Sequence, residues 1–229
     1  MDAARREKKE HGTLAFPFQI YPALDGSEAD DSDFIPYHWH PELEIITVDA
    51  GHVSLTIADH TYEGTHGDVF FAAGEELHEI RAAGRENQFR SFVFAADFLQ
   101  FSRADQSEFA LLSPLAEGRL RFGTCIRAGE PGQSEIRALL AQIVRAWQVQ
   151  APGCQLAVKA ALLGIVQNGA GDAVLYAARG VKIFDLGQQV CLQVARRGKA
   201  LQLHERRVAD ELGNAGIDFH KTGSFRIPI

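Results

Sequence analysis

The phrase "HWHPELEIITVDAG" (residues 38–51) sets His38 and His40 one residue apart and places Glu44 after three more. Downstream, "GDVFFAAGEELH" (67–78) ends an apolar run on another histidine, His78. Imidazole and carboxylate groups suit zinc, iron, nickel or manganese. Three histidines and one glutamate drawn from two strands can hold one such ion and leave a position open. On a regular strand, alternate side chains share a face. That would set His38, His40, Glu42 and Glu44 on one side and Trp39, Leu43 and Ile45 on the other. Ionisable groups on one face ask for water, an ion or a polar ligand. Three readings follow: metal ligands, polar walls of an effector pocket without metal, or surface and satisfied-core residues. Tyr37, Trp39, Glu42, Tyr62, Arg90, Phe92 and Phe94 could line a pocket beside them, although most aromatics on such strands are core. Arg90 is the informative one, because a guanidinium among aromatics can hold a carboxylate or sugar hydroxyls. No nucleophile–base pairing is evident, and "GDVFFAAGEE" lacks the spacing of a dinucleotide or phosphate loop.

The elements that must position these residues read as β first and α afterwards. From residue 14 to about 100, short β-branched and aromatic runs alternate with "DAGH", "ADH", "EGTHGD" and "AAGEE", a pattern of strands joined by glycine-containing turns. Such spacing predicts a sandwich or barrel. "FRSFVFAADFL" (89–99) and "GRLRFGTCIRAG" (118–129) extend it. After Pro131 the period changes: Ile136, Leu139, Leu140, Ile143, Val144 and Trp147 recur at helical spacing, with Ser134 as a candidate N-cap. "CQLAVKAALLGIVQNGAG" predicts a second helix closed by Gly169. The two form an antiparallel pair that either packs on the β structure or makes a dimer surface.

Composition sets outer bounds. The chain has 229 residues, 46% hydrophobic and 23% charged, which suits a globular protein with a sizeable core. No stretch approaches the roughly 20 apolar residues of a membrane helix. The start, "MDAARREKKEHG", lacks the apolar run of a signal peptide and reads as a solvated, disordered tail over 1–13, with an exposed arm as the functional alternative. The three cysteines are scattered and suggest neither a disulfide framework nor a zinc spacing. A cytoplasmic protein is expected. The net charge of −7 is uneven, with eight Lys/Arg against five Asp/Glu in residues 181–229, which points weakly to an anionic partner.

The histidine phrases resemble the two cupin motifs. His38, His40, Glu44 and Gly51 have the first motif's spacing, without its opening glycine. Gly67 and His78 have that of the second, with Ala73, Glu75 and Ala82 in place of its usual Pro, Gly and Asn. In metal-binding cupins the residues matching His38, His40, Glu44 and His78 are the ligands. The wider stretch, with "FPFQIY", "IPYHWHPELE" and "HGDVFFAAGEELHEI", resembles the sensor domain of AraC-type transcription regulators. The resemblance covers 14–100 well and extends through the helical pair. It implies a cupin-type β-barrel (14–129) that binds a small polar effector, often a sugar, beside a possible divalent metal (Zn, Ni, Fe or Mn). It further implies a homodimer made by the helical pair (130–170), and DNA binding by helix-turn-helix units.

The end of the chain departs from that family. "RRVADELGNAGIDFHK" is similar to a first helix-turn-helix, with Arg206, Arg207 and Lys221 as candidate phosphate contacts. Gly216, Gly223 and Pro228 disfavour its recognition helix, and no second unit follows. Residues 181–229 therefore read as a short, truncated or altered helical remnant. The expected function is transcription regulation by effector sensing. The alternatives are a metal-dependent cupin enzyme, such as a dioxygenase or isomerase, and a ligand-binding module without DNA output.

Overall fold

The computed structural model of the chain describes residues 3–21, 34–82, 86–171 and 175–177. Its β part comprises β1 (Phe18–Tyr21), β2 (Phe34–His38), β3 (Leu43–Ala50), β4 (His52–Ile57), β5 (His60–Thr65), β6 (Val69–Ala72), β7 (His78–Arg81), β8 (Gln88–Phe94), β9 (Leu120–Phe122) and β10 (Cys125–Ile126). The helices α1 (Ser113–Ala116), α2 (Gln133–Val149) and α3 (Cys154–Gly171) follow or interrupt it, and β11 (Leu175–Ala177) pairs back onto β9. Strands β1-β8-β3-β6-β10 form one antiparallel sheet, and β2-β7-β4-β5 form the other. The expected order holds: cupin-type β structure, then an antiparallel helical pair. The β part is two facing sheets with a small third ladder, and not a closed barrel.

Burial explains why β3 reads as an almost unbroken apolar run. Leu43 through Val48 are all buried, as in a strand covered on both faces. Ile46 and Val48 pack between the sheets with Val53, Leu55, Ile57, Phe70, Ile80 and Phe89. Leu43 and Ile45 point the other way, into a second core that takes in Phe71, Phe92, Phe94 and, from the helices, Ile136, Leu140, Ile143, Val158 and Leu162. The helical pair thus covers the outer face of the larger sheet. The candidate cap Ser134 does not cap α2: its hydroxyl lies 2.8 Å from a Glu135 carboxylate oxygen, and Gly132 holds the N-cap position.

Two motif glycines are needed for backbone reasons. Gly51 turns β3 into β4 at φ 65°, and a Cβ there would fall 2.7 Å from the Glu86 carbonyl oxygen. Gly67 has φ 100° and faces the Ala128 Cβ. Beside it, buried Asp68 ties the sandwich to the chain entering α2. Its carboxylate accepts hydrogen bonds from the Thr65 and Ala128 backbone N–H groups (both 2.9 Å) and from Arg127 Nη1 (2.8 Å). Burial pushes the Asp68 carboxyl up, but these bonds and the Arg127 charge outweigh burial and leave it below its ordinary value. A depressed carboxyl stabilises the fold above its unfolded pKa near 3.8, and that contribution is lost as pH falls through the folded value. Asp68→Asn is expected to cost about 2 kcal/mol at pH 7, on the scale of hydrogen bonds to charged groups. In urea unfolding, the gap from wild type should narrow below about pH 4.

The departures in the second motif have a visible cost. Glu75, standing where a cupin usually has glycine, keeps a left-handed backbone at φ 64° while its N–H donates to the His40 carbonyl at 2.7 Å. Left-handed geometry costs an L-residue about 1–2 kcal/mol, partly offset by the smaller entropy of a non-glycine in the unfolded chain. Glu75→Gly is expected to raise stability by about 0.5–1 kcal/mol, read as a higher urea midpoint with unchanged slope.

Candidate metal centre

The histidine phrase does not lie on one regular strand. β2 ends at His38 in the smaller sheet and β3 begins at Leu43 in the larger one. Between them Trp39, His40, Pro41 and Glu42 carry the chain from one sheet to the other. Convergence therefore comes from the sandwich and not from strand alternation. Register sets His38 directly opposite His78 across the β2–β7 ladder, after a bulge. From the facing sheet, Glu44 shares the inner side with its register partners Ala72 and Val93.

These four side chains meet at one end of the sandwich. A ligand atom from each of His38, His40, Glu44 and His78 lies within 4.8 Å of the others, and all but His38 are buried. Glu44 Oε2 sits 3.1 Å from His40 Nε2 and 3.0 Å from His78 Nε2. Atoms sharing one ion at about 2.1 Å are separated by roughly 3–4.3 Å; the two Glu44 distances fall in that range, and the group of four is close enough to gather round one ion. Outer partners set two of the rings. His38 Nδ1 donates to the Pro36 carbonyl (2.9 Å) and His78 Nδ1 to the Glu76 carbonyl (2.8 Å). Carbonyls only accept, so both rings turn Nε2 inward, the arrangement that orients metal-ligating histidines. The residues present fit a divalent cation.

Electrostatics are consistent with that geometry. Burial pushes the Glu44 carboxyl up, yet hydrogen bonds from His40 and His78 prevail and hold it well below the usual carboxylate range. Burial pulls His78 down, but its bond and charge interaction with Glu44 raise it on balance. Burial and the His78 charge lower His38. The cluster thus pairs a carboxylate with an imidazole, His78, that it draws toward its protonated form, and a bound metal would take the place of such a proton.

The other candidate residues are more scattered. Glu42 stays at the edge of the cluster, its Oε2 3.4 Å from His40 Nδ1. Arg90 and Phe92 do not join it. Arg90 pairs in register with Thr47 and Phe92 with Ile45, which puts both on the outer face of the larger sheet. There Arg90 Nη2 bonds Asp49 Oδ2 at 3.0 Å and Phe92, 1% exposed, sits in the helix-side core. Alternation on β8 assigns those two faces, and the sequence could not say which was inner. Tyr37 and Trp39 face the N-terminal segment, with the Arg5 and Arg6 guanidinium groups 5.5 and 5.6 Å from their ring centroids. Arg206, Arg207 and Lys221, like the rest of 181–229, lie outside the described residues.

That N-terminal segment is what sequence reasoning missed. Residues 3–13, expected as a solvated tail, pair with the sandwich. Trp39 N–H donates to the Arg5 carbonyl at 3.1 Å and Glu7 N–H to the Trp39 carbonyl at 2.9 Å. Glu7 Oε2 reaches within 3.3 Å of His11 Nε2 and 3.6 Å of His38 Nε2. His11 is buried, with its Nδ1 2.8 Å from the Tyr21 hydroxyl. Burial and the nearby carboxylates push that hydroxyl up to about 12, so it keeps its proton. The Glu7–His11 spacing was the one available signal, and a run of charges hid it. A cavity of about 10 Å³, room for about one water, lies by β3 and β6 among Leu43, Ile45, Phe71, Phe94 and Phe122, and none of the cluster histidines lines it. A larger one of about 250 Å³ lies at the sandwich–helix junction, between Phe16, Phe18, Trp147 and Gln155.

The profile of the AraC-like ligand binding domain matches residues 21–166. The chain belongs to this family. The match runs from the end of β1 into α3 and takes in His38, His40, Glu44 and His78. No curated protein matches the sequence. Among solved structures, oxalate decarboxylase from Bacillus subtilis, in a study of its Mn(II) centres, is 24% identical over 27% of this chain and 18% of that chain, with TM-score 0.25. A conserved protein of unknown function from Streptococcus pyogenes is 23% identical over 28% of this chain and 56% of that one, with TM-score 0.25. The AraC-like chain thus spans well under two thirds of either, and these short likenesses carry no argument about activity. Among the described residues, no helix is long and apolar enough to cross a membrane.

Proposed function

We propose that this AraC-like chain is a non-enzymatic sensor of a small polar molecule, with a divalent cation held by His38, His40, Glu44 and His78. The observation that carries the reading is the convergence of these four side chains from two sheets, within 4.8 Å, inside a domain whose family is ligand-binding. A bound ion would supply a Lewis-acidic anchor for a carboxylate or hydroxyl of the effector. The chain's own residues orient the ligands through Pro36 and Glu76, and keep bulk water from Glu44. Exposed Val149 and Leu156, at facing ends of α2 and α3, support a homodimer through the helical pair. In the regulator reading, effector binding alters how residues 181–229 meet DNA, with Arg206, Arg207 and Lys221 at the phosphates.

The experiment is metal analysis of protein purified without chelating resin, followed by titration with Mn(II) and Zn(II). About one ion per chain is expected, and none at any stoichiometry would sink the metal reading. A gel shift with the gene's upstream DNA tests the output. A salt-sensitive shift is expected of a regulator, whereas no shift leaves a ligand-binding module.

A further inference from the structure

We propose that Glu7, carried on the N-terminal segment, is a further ligand to the ion at this centre, so that metal clamps residues 3–13 onto the sandwich and an external carboxylate must displace Glu7 to bind. This rests on the metal reading above and adds to it a removable ligand and a class of competitor.

Three observations meet at Glu7. The backbone pairing of Arg5 and Glu7 with Trp39 fixes where its side chain starts, one residue from both His38 and His40. Its Oε2 lies 3.6 Å from His38 Nε2, within the roughly 3–4.3 Å separation of atoms sharing one ion. Glu7, His11 and His40 also form a second group whose ligand atoms lie within 4.8 Å of one another. Beside it, the buried His11 and His40 make only loose contacts with carboxylates: His11 Nε2 lies 3.3 Å from Glu7 Oε2 and His40 Nδ1 3.4 Å from Glu42 Oε2, neither a well-formed hydrogen bond. Glu7 is thus held at this spot by weak pairing that a cation can replace.

The segment is also built to leave. The contacts of residues 3–10 with the sandwich include backbone bonds to Trp39, cation–π contacts of Arg5, Arg6 and Lys9 with Tyr37, Trp39 and Tyr21, and the approach of Glu7 to His38. These are exposed, modest interactions. Glu7 itself is partly exposed, so it can be exchanged from solvent. A small carboxylate entering there replaces like with like and frees the segment.

The test uses the full chain with Mn(II) as the metal and acetate as the carboxylate probe. Calorimetric titration compares wild type with Glu7→Gln, a partly exposed position whose change leaves the fold intact. In parallel, trypsin cleavage after Arg5, Arg6, Lys8 and Lys9 is followed by intact mass. Glu7→Gln is expected to bind Mn(II) about tenfold more weakly. Saturating Mn(II) should slow N-terminal cleavage of wild type about fivefold or more but not that of Glu7→Gln, and acetate should restore cleavage in Mn(II)-loaded wild type. If wild type binds no Mn(II), the metal reading falls and this proposal with it. If both proteins bind equally and gain equal protection, Glu7 is no ligand and the metal reading stands.

Discussion

Glu44→Ala is expected to abolish measurable divalent-metal binding and also to destabilise the metal-free protein by about 3 kcal/mol, the scale for removing one partner of a buried ion pair. Both effects follow from one oxygen. Glu44 Oε2 meets His40 Nε2 and His78 Nε2 at 3.1 and 3.0 Å inside the sandwich. Without it two buried imidazoles lose their acceptor and an ion loses its anionic ligand. Affinity should fall by at least about a hundredfold, since outer-shell changes alone cost 10- to 100-fold. Glu44→Gln separates the two effects. It keeps volume and a hydrogen-bonding oxygen, so it should unfold closer to wild type in urea while still failing to retain metal. A Glu44→Gln protein that binds Mn(II) at wild-type affinity would remove Glu44 from the ligand set.

Phe92→Ala is expected to cost about 3–5 kcal/mol and to leave the cluster's metal affinity unchanged in whatever protein remains folded. The reason is its side of the sheet. Phe92 is 1% exposed in the core that Leu43, Ile45 and Phe94 share with α2 and α3. Truncation opens a cavity under the helical pair, on the opposite face of the sheet from Glu44. The comparison is urea unfolding against Mn(II) affinity measured well below the transition. A selective loss of affinity with normal stability would return Phe92 to the pocket.

The same two residues show what could be read before folding. The spacing of His38, His40, Glu44 and His78 sufficed to name the four groups that converge, because a cupin-like pattern of short strands brings these positions together. Strand and helix periods likewise marked the β part and the helical pair. The inner or outer placement of Arg90 and Phe92 stayed open, since alternation says only that both share a side, and both sides of this sheet are covered. The expectation that His38 through Glu44 form one strand overlooked the break at Pro41, where the chain passes between sheets.

The N-terminal segment is the plainest case of information held elsewhere. "RREKKE" has the composition of a solvated tail, and Glu7 gains meaning only when the Trp39 backbone pairs with it beside His38. By itself, then, the sequence determined which four side chains converge and the order of the elements, because these depend on residue type and local period. Tertiary structure alone decided which faces are inner and which carboxylates reach the centre. Those depend on long-range strand register and on backbone hydrogen bonds, which carry no residue-type signature.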